Sequence, residues 1–110
     1  MTVLVLNRFV VSSDDDSFVE KAHAALAALA ESPGYVRGEL TRSLDDPEYW
    51  CLLTEWANVG SYRRALGRFE VKVNATPLLA QSIMEPSAYE TLASATPNGT
   101  VQVTSSDRAV

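Results

Sequence analysis

The chain has 110 residues with a net charge of −5, and 46% of them are hydrophobic, which is typical of one globular domain with a single core. The acidic balance argues against nucleic-acid binding, and no run of about 18 apolar residues predicts a membrane span. One cysteine and one histidine cannot form an internal disulfide or a zinc cluster, and no export signal is visible, so we expect a cytoplasmic protein without a bound metal.

The first predicted elements are a strand and a helix. Thr2 to Val11 is apolar on both alternating faces, which is typical of a strand that is covered on both sides. Ser12 to Asp16 supplies capping oxygens and negative charge, which predicts that a helix begins there. An alanine-rich segment with one apolar stripe follows and ends at Pro33 and Gly34.

Two further strands are predicted next. Tyr35 to Leu44 alternates between apolar and polar residues, with Val36 and Leu40 on the apolar face, and predicts a half-exposed strand. Glu48 to Trp56 is again apolar on both faces, which predicts a second buried strand. Within it, Cys51 is interpreted as a small buried hydrophobic residue.

The segment after the third strand is predicted to be helical but interrupted. Asn58 is a plausible N-cap for its first helix. Arg68 to Asn74 alternates strictly, which by period alone indicates a strand, yet its apolar residues also fit helical spacing. Thr76 followed by Pro77 resembles an N-cap with proline at the first helical position. We therefore predict a helical region with a break.

The last predicted strand is Ser87 to Leu92, which completes a βαββαβ order. This is the ferredoxin-like α+β plan with an antiparallel sheet, predicted over residues 1–92. Residues 93–110 are predicted to be a flexible tail, in which Val101 and Val103 could still form a short strand. Two helices can cover only one face of the sheet, so we predict a homodimer in which two sheets pack face to face.

Four side chains are candidates for a functional site. Asn7, inside an apolar strand, either bonds a ligand oxygen in a cavity or bonds a neighbouring loop. Trp56 and Tyr62 either line a cleft for a flat aromatic ligand or pack the core. His23, the one histidine, either exchanges protons near neutral pH or is an exposed helix residue without a role.

The chain resembles the antibiotic biosynthesis monooxygenase family, within the dimeric α+β barrel group, over about Thr2 to Leu92. The resemblance is carried by VLVLNRF at Val3 to Phe9, the SPGY turn at Ser32 to Tyr35, and LLTEW-x5-Y from Leu52 to Tyr62. One branch of this family oxidises phenolic, polyketide-type aromatics with O2 and without metal or flavin.

The resemblance to that branch implies a cofactor-independent monooxygenase with an aromatic pocket. It implies that aromatic side chains hold the ring, that an amide bonds a carbonyl or phenolate oxygen, and that a histidine is the candidate base. The expected partners are a second copy of the chain, a small aromatic substrate and O2. The residues implied are Asn7, Trp56, Tyr62 and His23 as catalytic residues and Phe69, Phe9 and Leu66 as substrate-binding residues.

Two other functions remain as alternatives. One is a non-catalytic dimeric binding protein, or a cyclase-like protein that folds a polyketide without oxidising it, which would suit the sparse acid and base residues. The other is haem degradation, because that branch is similar at Asn7. The haem-ligating histidine of that branch is absent from Arg68 to Ser82, and the asparagine that one monooxygenase type carries four residues before the tryptophan is Leu52 here.

Overall fold

One antiparallel sheet of four strands organises the fold in the computed structural model, which describes residues 2–106. The sheet has the order β2-β3-β1-β4 and consists of β1 (Val3–Val10), β2 (Tyr35–Arg42), β3 (Tyr49–Trp56) and β4 (Ala88–Glu90). The helices are α1 (Phe18–Ala30), after β1, and α2 (Val59–Leu66), α3 (Phe69–Asn74) and α4 (Thr76–Leu79), between β3 and β4. The predicted α+β, ferredoxin-like order is confirmed.

The two strands with two apolar faces, β1 and β3, lie at the centre of the sheet, as predicted. They pair in register from Val3 opposite Trp56 to Val10 opposite Tyr49, and paired residues share a face of the sheet. The helix-covered face consists of Val3, Val5, Asn7, Phe9, Trp50, Leu52, Thr54 and Trp56. The open face consists of Leu4, Leu6, Arg8, Val10, Tyr49, Cys51, Leu53 and Glu55.

Helix α1 packs its apolar stripe against the helix-covered face. Ala22, Ala25 and Leu29 are buried on this stripe, as the sequence pattern predicts. The helix begins at Phe18 rather than among the preceding aspartates, so that predicted start is wrong. Instead, the Asp15 carboxylate accepts hydrogen bonds from the backbone N–H and the hydroxyl of Ser17, which fold the acidic run into a turn ahead of the helix.

A β-bulge at the start of β2 corrects the prediction that Val36 faces the core. Tyr35 pairs with Trp56 and Arg37 with Glu55, so Val36 has no partner in the register and is 52% exposed. The extra residue shifts the alternation and turns the Tyr35 side chain toward the helix-covered face. Past the bulge, Leu40 packs against the core as predicted.

The region after β3 is helical and interrupted, as predicted, but the side that carries Phe69 does not face the core. Val71 and Leu78 are buried, whereas Phe69 is 74% exposed, so the stripe that includes Phe69 lies outside. Asn58 is the N-cap of α2, and its Oδ1 accepts the backbone N–H of Ser61 at 2.8 Å. Thr76 is not an N-cap, because it is already the first residue of α4.

The chain ends in a short hairpin beyond β4. Strands β5 (Ala93–Ser94) and β6 (Gln102–Val103) pair with each other, so the short strand considered near Val103 is present. The predicted flexibility of residues 93–110 stays a prediction, and residues 107–110 lie outside the described residues. Among residues 2–106, no helix is long and apolar enough to cross a membrane.

Candidate functional site

Asn7 places an amide within the apolar wall of the helix-covered face. Its neighbours on that face, Val5 and Phe9, are 1% and 2% exposed, and Leu52 opposite it is 1% exposed. The amide is only half-buried and makes no side-chain hydrogen bond within residues 2–106. Since no buried side-chain nitrogen or oxygen among these residues lacks a partner, the amide must reach accessible space, where it is free to bond a ligand.

Trp56 is fully buried near the other end of the same face. Its indole N–H donates a hydrogen bond of 2.8 Å to the hydroxyl of Thr54, which is also buried. This bond satisfies the only polar group of the indole, so Trp56 can act as an apolar wall but not as a hydrogen-bond donor to a ligand. Thr54, which lies on the same strand, thus fixes the orientation of the Trp56 indole.

Two tyrosine rings enclose Trp56. The ring centroids of Tyr35 and Tyr62 lie 5.4 Å and 5.6 Å from that of Trp56, within the range of edge-to-face aromatic packing. Because Trp56 is 0% exposed, a ligand can touch the indole only after one of these rings moves. Tyr62 belongs to the short helix α2, whereas Tyr35 belongs to strand β2 of the sheet.

Both tyrosines remain protonated at neutral pH. Burial raises the pKa of the Tyr62 phenol above its ordinary value of 10.0, and the Tyr35 pKa is also raised by burial, against a smaller opposing effect of Arg37. Neither hydroxyl makes a hydrogen bond within residues 2–106. Each phenol can therefore donate a hydrogen bond to a ligand oxygen, but neither is suited to act as a base.

The other predicted site residues are distributed over the fold. Phe9 is buried and packs edge-to-face on Phe18 at 5.2 Å, in an aromatic cluster away from Trp56. Leu66 is half-buried against the core. His23 and Phe69 are exposed, on α1 and α3 respectively. The structure thus brings Tyr62 to Trp56, places Asn7 further along the same face, and leaves His23 and Phe69 on the surface.

Sequence reasoning missed two residues that shape this region, Tyr35 and Thr54. Thr54 lies two positions before Trp56, so the alternation of a strand already places both on one face, and this signal could have identified the partner of the indole. No local signal predicts the bulge that turns Tyr35 inward. Its inward position depends on the pairing of β2 with β3.

The arrangement offers hydrogen-bond donors and apolar walls rather than acids and bases. The polar groups free for a ligand are the Asn7 amide and the two phenols. Among residues 2–106, the His, Cys, Asp and Glu side chains form no group of three that could hold a metal ion. These groups can donate hydrogen bonds to the oxygens of an aromatic molecule once a ring moves away from Trp56.

Comparisons with known proteins place this geometry in context. SnoaB, a cofactor-independent oxygenase from Streptomyces nogalater, has a similar structure, with 29% identity, a TM-score of 0.70, and coverage of 82% of this chain and 92% of SnoaB. A conserved protein from Methanosarcina mazei superposes with a TM-score of 0.69 at 18% identity, over 81% of this chain and 91% of its own. Rv0793 from Mycobacterium tuberculosis gives a TM-score of 0.69 at 17% identity, over 87% and 100%.

The proteins from Methanosarcina mazei and Mycobacterium tuberculosis are less than 25% identical to this chain, so their similarity shows the fold alone. A search of curated protein sequences finds no match. The sequence model of the family described as antibiotic biosynthesis monooxygenase matches residues 2–73, which include β1, α1, the β2–β3 pair, α2 and most of α3. The chain belongs to the antibiotic biosynthesis monooxygenase family.

Proposed function

We propose that this protein is a cofactor-independent monooxygenase that uses O2 to oxidise a phenolic or polyketide-type aromatic molecule. The observation that carries the proposal is the Asn7 amide, which lies free of protein partners in an otherwise apolar wall. SnoaB, described as a cofactor-independent oxygenase, is 29% identical and aligns over 82% of this chain, which supports the same class of chemistry here.

The chemistry relies on the substrate rather than on a cofactor. An electron-rich anthrone loses a proton, its delocalised carbanion transfers an electron to O2, and the two radicals combine into a peroxide. Loss of water from the peroxide then leaves the quinone. An amide N–H of Asn7 donates to the substrate's carbonyl oxygen, which stabilises the negative charge that develops there. The apolar side chains around Asn7 keep water away from the reactive intermediates.

Entry of the substrate requires a change at Tyr62. In the described structure the rings of Tyr62 and Tyr35 close over Trp56, so the aromatic wall is covered. We propose that Tyr62 swings away with α2 and that the ring of the substrate then packs against Trp56. The Tyr62 hydroxyl, which is protonated at neutral pH, can donate a second hydrogen bond to the substrate.

A non-catalytic binding or cyclase-like protein is the second candidate, and one observation favours it. The titratable side chains at the aromatic wall are the two tyrosines, which are not bases, and His23 is exposed. The monooxygenase therefore needs a substrate acidic enough to lose its proton to water, whereas a binding protein needs no base. The two functions differ in whether O2 is consumed.

The test is O2 uptake by the purified protein with anthrone and dihydroxynaphthalene substrates. We expect uptake above autoxidation, and we expect Asn7→Ala to lower the rate at least about tenfold, the scale of one lost hydrogen bond to a charged oxygen. Asn74→Ala, which removes an exposed amide from α3, is the matched control and should keep the rate.

Three outcomes test the roles of Asn7 and Tyr62 and separate the two candidate functions. An unchanged rate in Asn7→Ala would remove this residue from the site. Saturable quenching of tryptophan fluorescence without O2 uptake would favour the binding or cyclase-like protein. Tyr62→Phe keeps the ring but removes the hydroxyl, so a raised KM with intact O2 uptake in this variant would indicate a role in binding.

We also propose that the open face pairs two copies of the chain. Leu4, Leu6 and Leu53 lie at its centre and are only half-buried, although they are apolar and belong to the two central strands. Light scattering at micromolar concentration should show a dimer. Leu53→Asp, which puts a charge at the centre of the face, should shift the protein to monomer, whereas Val36→Asp at the exposed bulge should not. A wild-type monomer would exclude this assembly.

A further inference from the structure

Helix α2 is attached at both of its ends to the turn that joins α1 to β2. Ahead of the helix, the backbone N–H of Ala57 donates to the carbonyl of Gly34 at 2.8 Å. Behind the helix, Nη1 of Arg68 donates to the hydroxyl of Ser32, also at 2.8 Å. The α2 segment, residues 57–68, therefore leaves this turn and returns to it.

The attachment ahead of α2 is built from backbone. Ala57 directly follows β3, whose last residue, Trp56, pairs with Tyr35 at the start of β2. A Cβ at Gly34 would collide with Ser61, so the turn and the first part of α2 are in close contact. A backbone hydrogen bond, strand pairing and close packing thus fix this end of the α2 segment.

The attachment behind α2 is made by one side chain. Arg68 is half-buried, and its acceptor Ser32 is 5% exposed. The same Nη1 lies 3.5 Å from the carbonyl of Ala28, in the last turn of α1, which has no basic residue of its own. A cation is favourable there because unpaired carbonyls and the negative end of the helix dipole face it. Arg68 makes no ion pair within residues 2–106, so its attachment consists of hydrogen bonds to neutral acceptors.

The apolar side chains of α2 leave room for movement. Ala65 is the one that is completely buried, and it is small, whereas Val59, Tyr62 and Leu66 are half-buried. A shift of the helix therefore exposes little additional apolar area. We thus expect the bonds of Arg68 to decide whether this end of the α2 segment stays in place.

The two attachments keep two aromatic rings together over Trp56. Tyr35 comes from the turn side and Tyr62 from the middle of the α2 segment, with ring centroids 5.4 Å and 5.6 Å from that of Trp56. While Arg68 is bonded to Ser32, both rings cover the indole, which is 0% exposed. Separation of α2 from the turn would uncover it.

We propose that Arg68 is a positioning residue that holds the α2 segment closed over Trp56, and that release of its bond to Ser32 opens the site for the substrate. In the open state the end of α2 turns outward about the backbone attachment ahead of the helix and carries Tyr62 away from the indole. This inference rests on the proposed function, in which the substrate packs against Trp56, and adds which contact keeps that wall covered.

The proposal predicts an effect of opposite sign to that of a purely structural role. Only the open fraction of the protein binds a ligand, so a closed state that predominates lowers both the rate of association and the apparent affinity. Loss of one hydrogen bond from a charged group should raise the open fraction about tenfold. Arg68→Gln should therefore bind an aromatic ligand faster, although urea-induced unfolding shows it to be less stable. A residue that only supports the fold would slow or weaken binding when it is replaced.

The first measurement needs no ligand. In a Trp50→Phe background Trp56 is the only tryptophan, and the rate constant of its quenching by acrylamide reports how often the indole is uncovered. We expect Arg68→Gln to raise this rate constant about tenfold, and Ser32→Ala, which removes the acceptor, to raise it by a similar factor. The double variant should be no more open than either single variant. Arg63→Gln, which removes an exposed guanidinium from α2, is the matched control and should not change it.

The second measurement uses 2-naphthol as the probe, under nitrogen so that no oxidation takes place. Its association is followed by stopped-flow quenching of Trp56 fluorescence in the same background. The association rate constant should be about tenfold higher in Arg68→Gln and unchanged in Arg63→Gln. Asn7→Ala should leave the acrylamide quenching unchanged, so the positioning role of Arg68 and the proposed monooxygenase can fail separately.

Three results would overturn the proposal. Equal acrylamide quenching in Arg68→Gln and its parent would show that the bond to Ser32 does not keep the indole covered. Slower association of 2-naphthol in Arg68→Gln would assign a purely structural role. An equal rise in Arg63→Gln would assign the effect to the loss of positive charge. If 2-naphthol bound to no variant while acrylamide quenching rose in Arg68→Gln, the positioning role would be supported and the proposed substrate site at Trp56 would be wrong.

Discussion

Replacing Thr54 by valine tests whether the buried bond to Trp56 holds the aromatic wall in place. Thr54 and Trp56 are 2% and 0% exposed, and the indole N–H donates to the Thr54 hydroxyl at 2.8 Å. Valine has nearly the same shape but cannot accept this bond, so a buried N–H loses its partner. The cost of such a group is about 1–3 kcal/mol, and we expect a loss of about 2 kcal/mol in the free energy of unfolding.

The assay is urea-induced unfolding at one fixed protein concentration, because assembly would make the stability depend on concentration. Thr41→Val is the matched control, since Thr41 is exposed, and it should change the stability by no more than about 0.5 kcal/mol. The indole N–H resonance of Trp56 should also exchange faster with solvent in Thr54→Val. A variant as stable as the wild type, with an equally protected indole N–H, would refute the reasoning.

Two further predictions concern the turn before β2 and the ion pair between Arg8 and Glu85. Gly34 has φ +87°, and a Cβ there would collide with the Ser61 side chain. Gly34→Ala should therefore lower the free energy of unfolding by more than about 1 kcal/mol, whereas the control Gly67→Ala should not. Equal urea midpoints for the two variants would contradict this prediction. The hydrogen bonds from Arg8 lower the pKa of Glu85 below its ordinary value of 4.5. The ion pair therefore stabilises the fold above pH 4.5 and loses this effect as the pH falls through the lowered pKa. In Glu85→Gln the free energy of unfolding should decrease less steeply as the pH falls in the acid range. An unchanged decrease would contradict the prediction.

The order and centre of the sheet could be predicted because they depend on local patterns. A strand that is apolar on both faces needs cover on both sides wherever it lies, and β1 and β3 show this pattern within their own residues. The cap at Asn58 is equally local, since an N-cap bonds backbone N–H groups a few residues ahead. Neither prediction requires knowledge of which distant segments come together.

The features that the sequence did not reveal depend on such distant contacts. The bulge that turns Tyr35 rather than Val36 toward the core arises in the pairing of β2 with β3. Alternation along β2 alone would place Val36 on the core side. In α3 the pattern offers two apolar sides. Packing buries Val71 and leaves Phe69 outside, so Phe69 could be a substrate-binding residue only through a rearrangement or a partner.

The candidate site and the proposed interface between two copies use alternate residues of the same strand pair. Asn7 and Leu52 face the helices, whereas Leu6 and Leu53, one position along each strand, face the opposite way. The two faces therefore share backbone but no side chain, so a side-chain substitution on one face should leave the other intact. A change in the register of β1 would act differently, because a slip of one residue exchanges the two faces and would disturb both together. Coupling between Asn7→Ala and Leu53→Asp would thus indicate movement of β1 itself rather than contact between the two side chains.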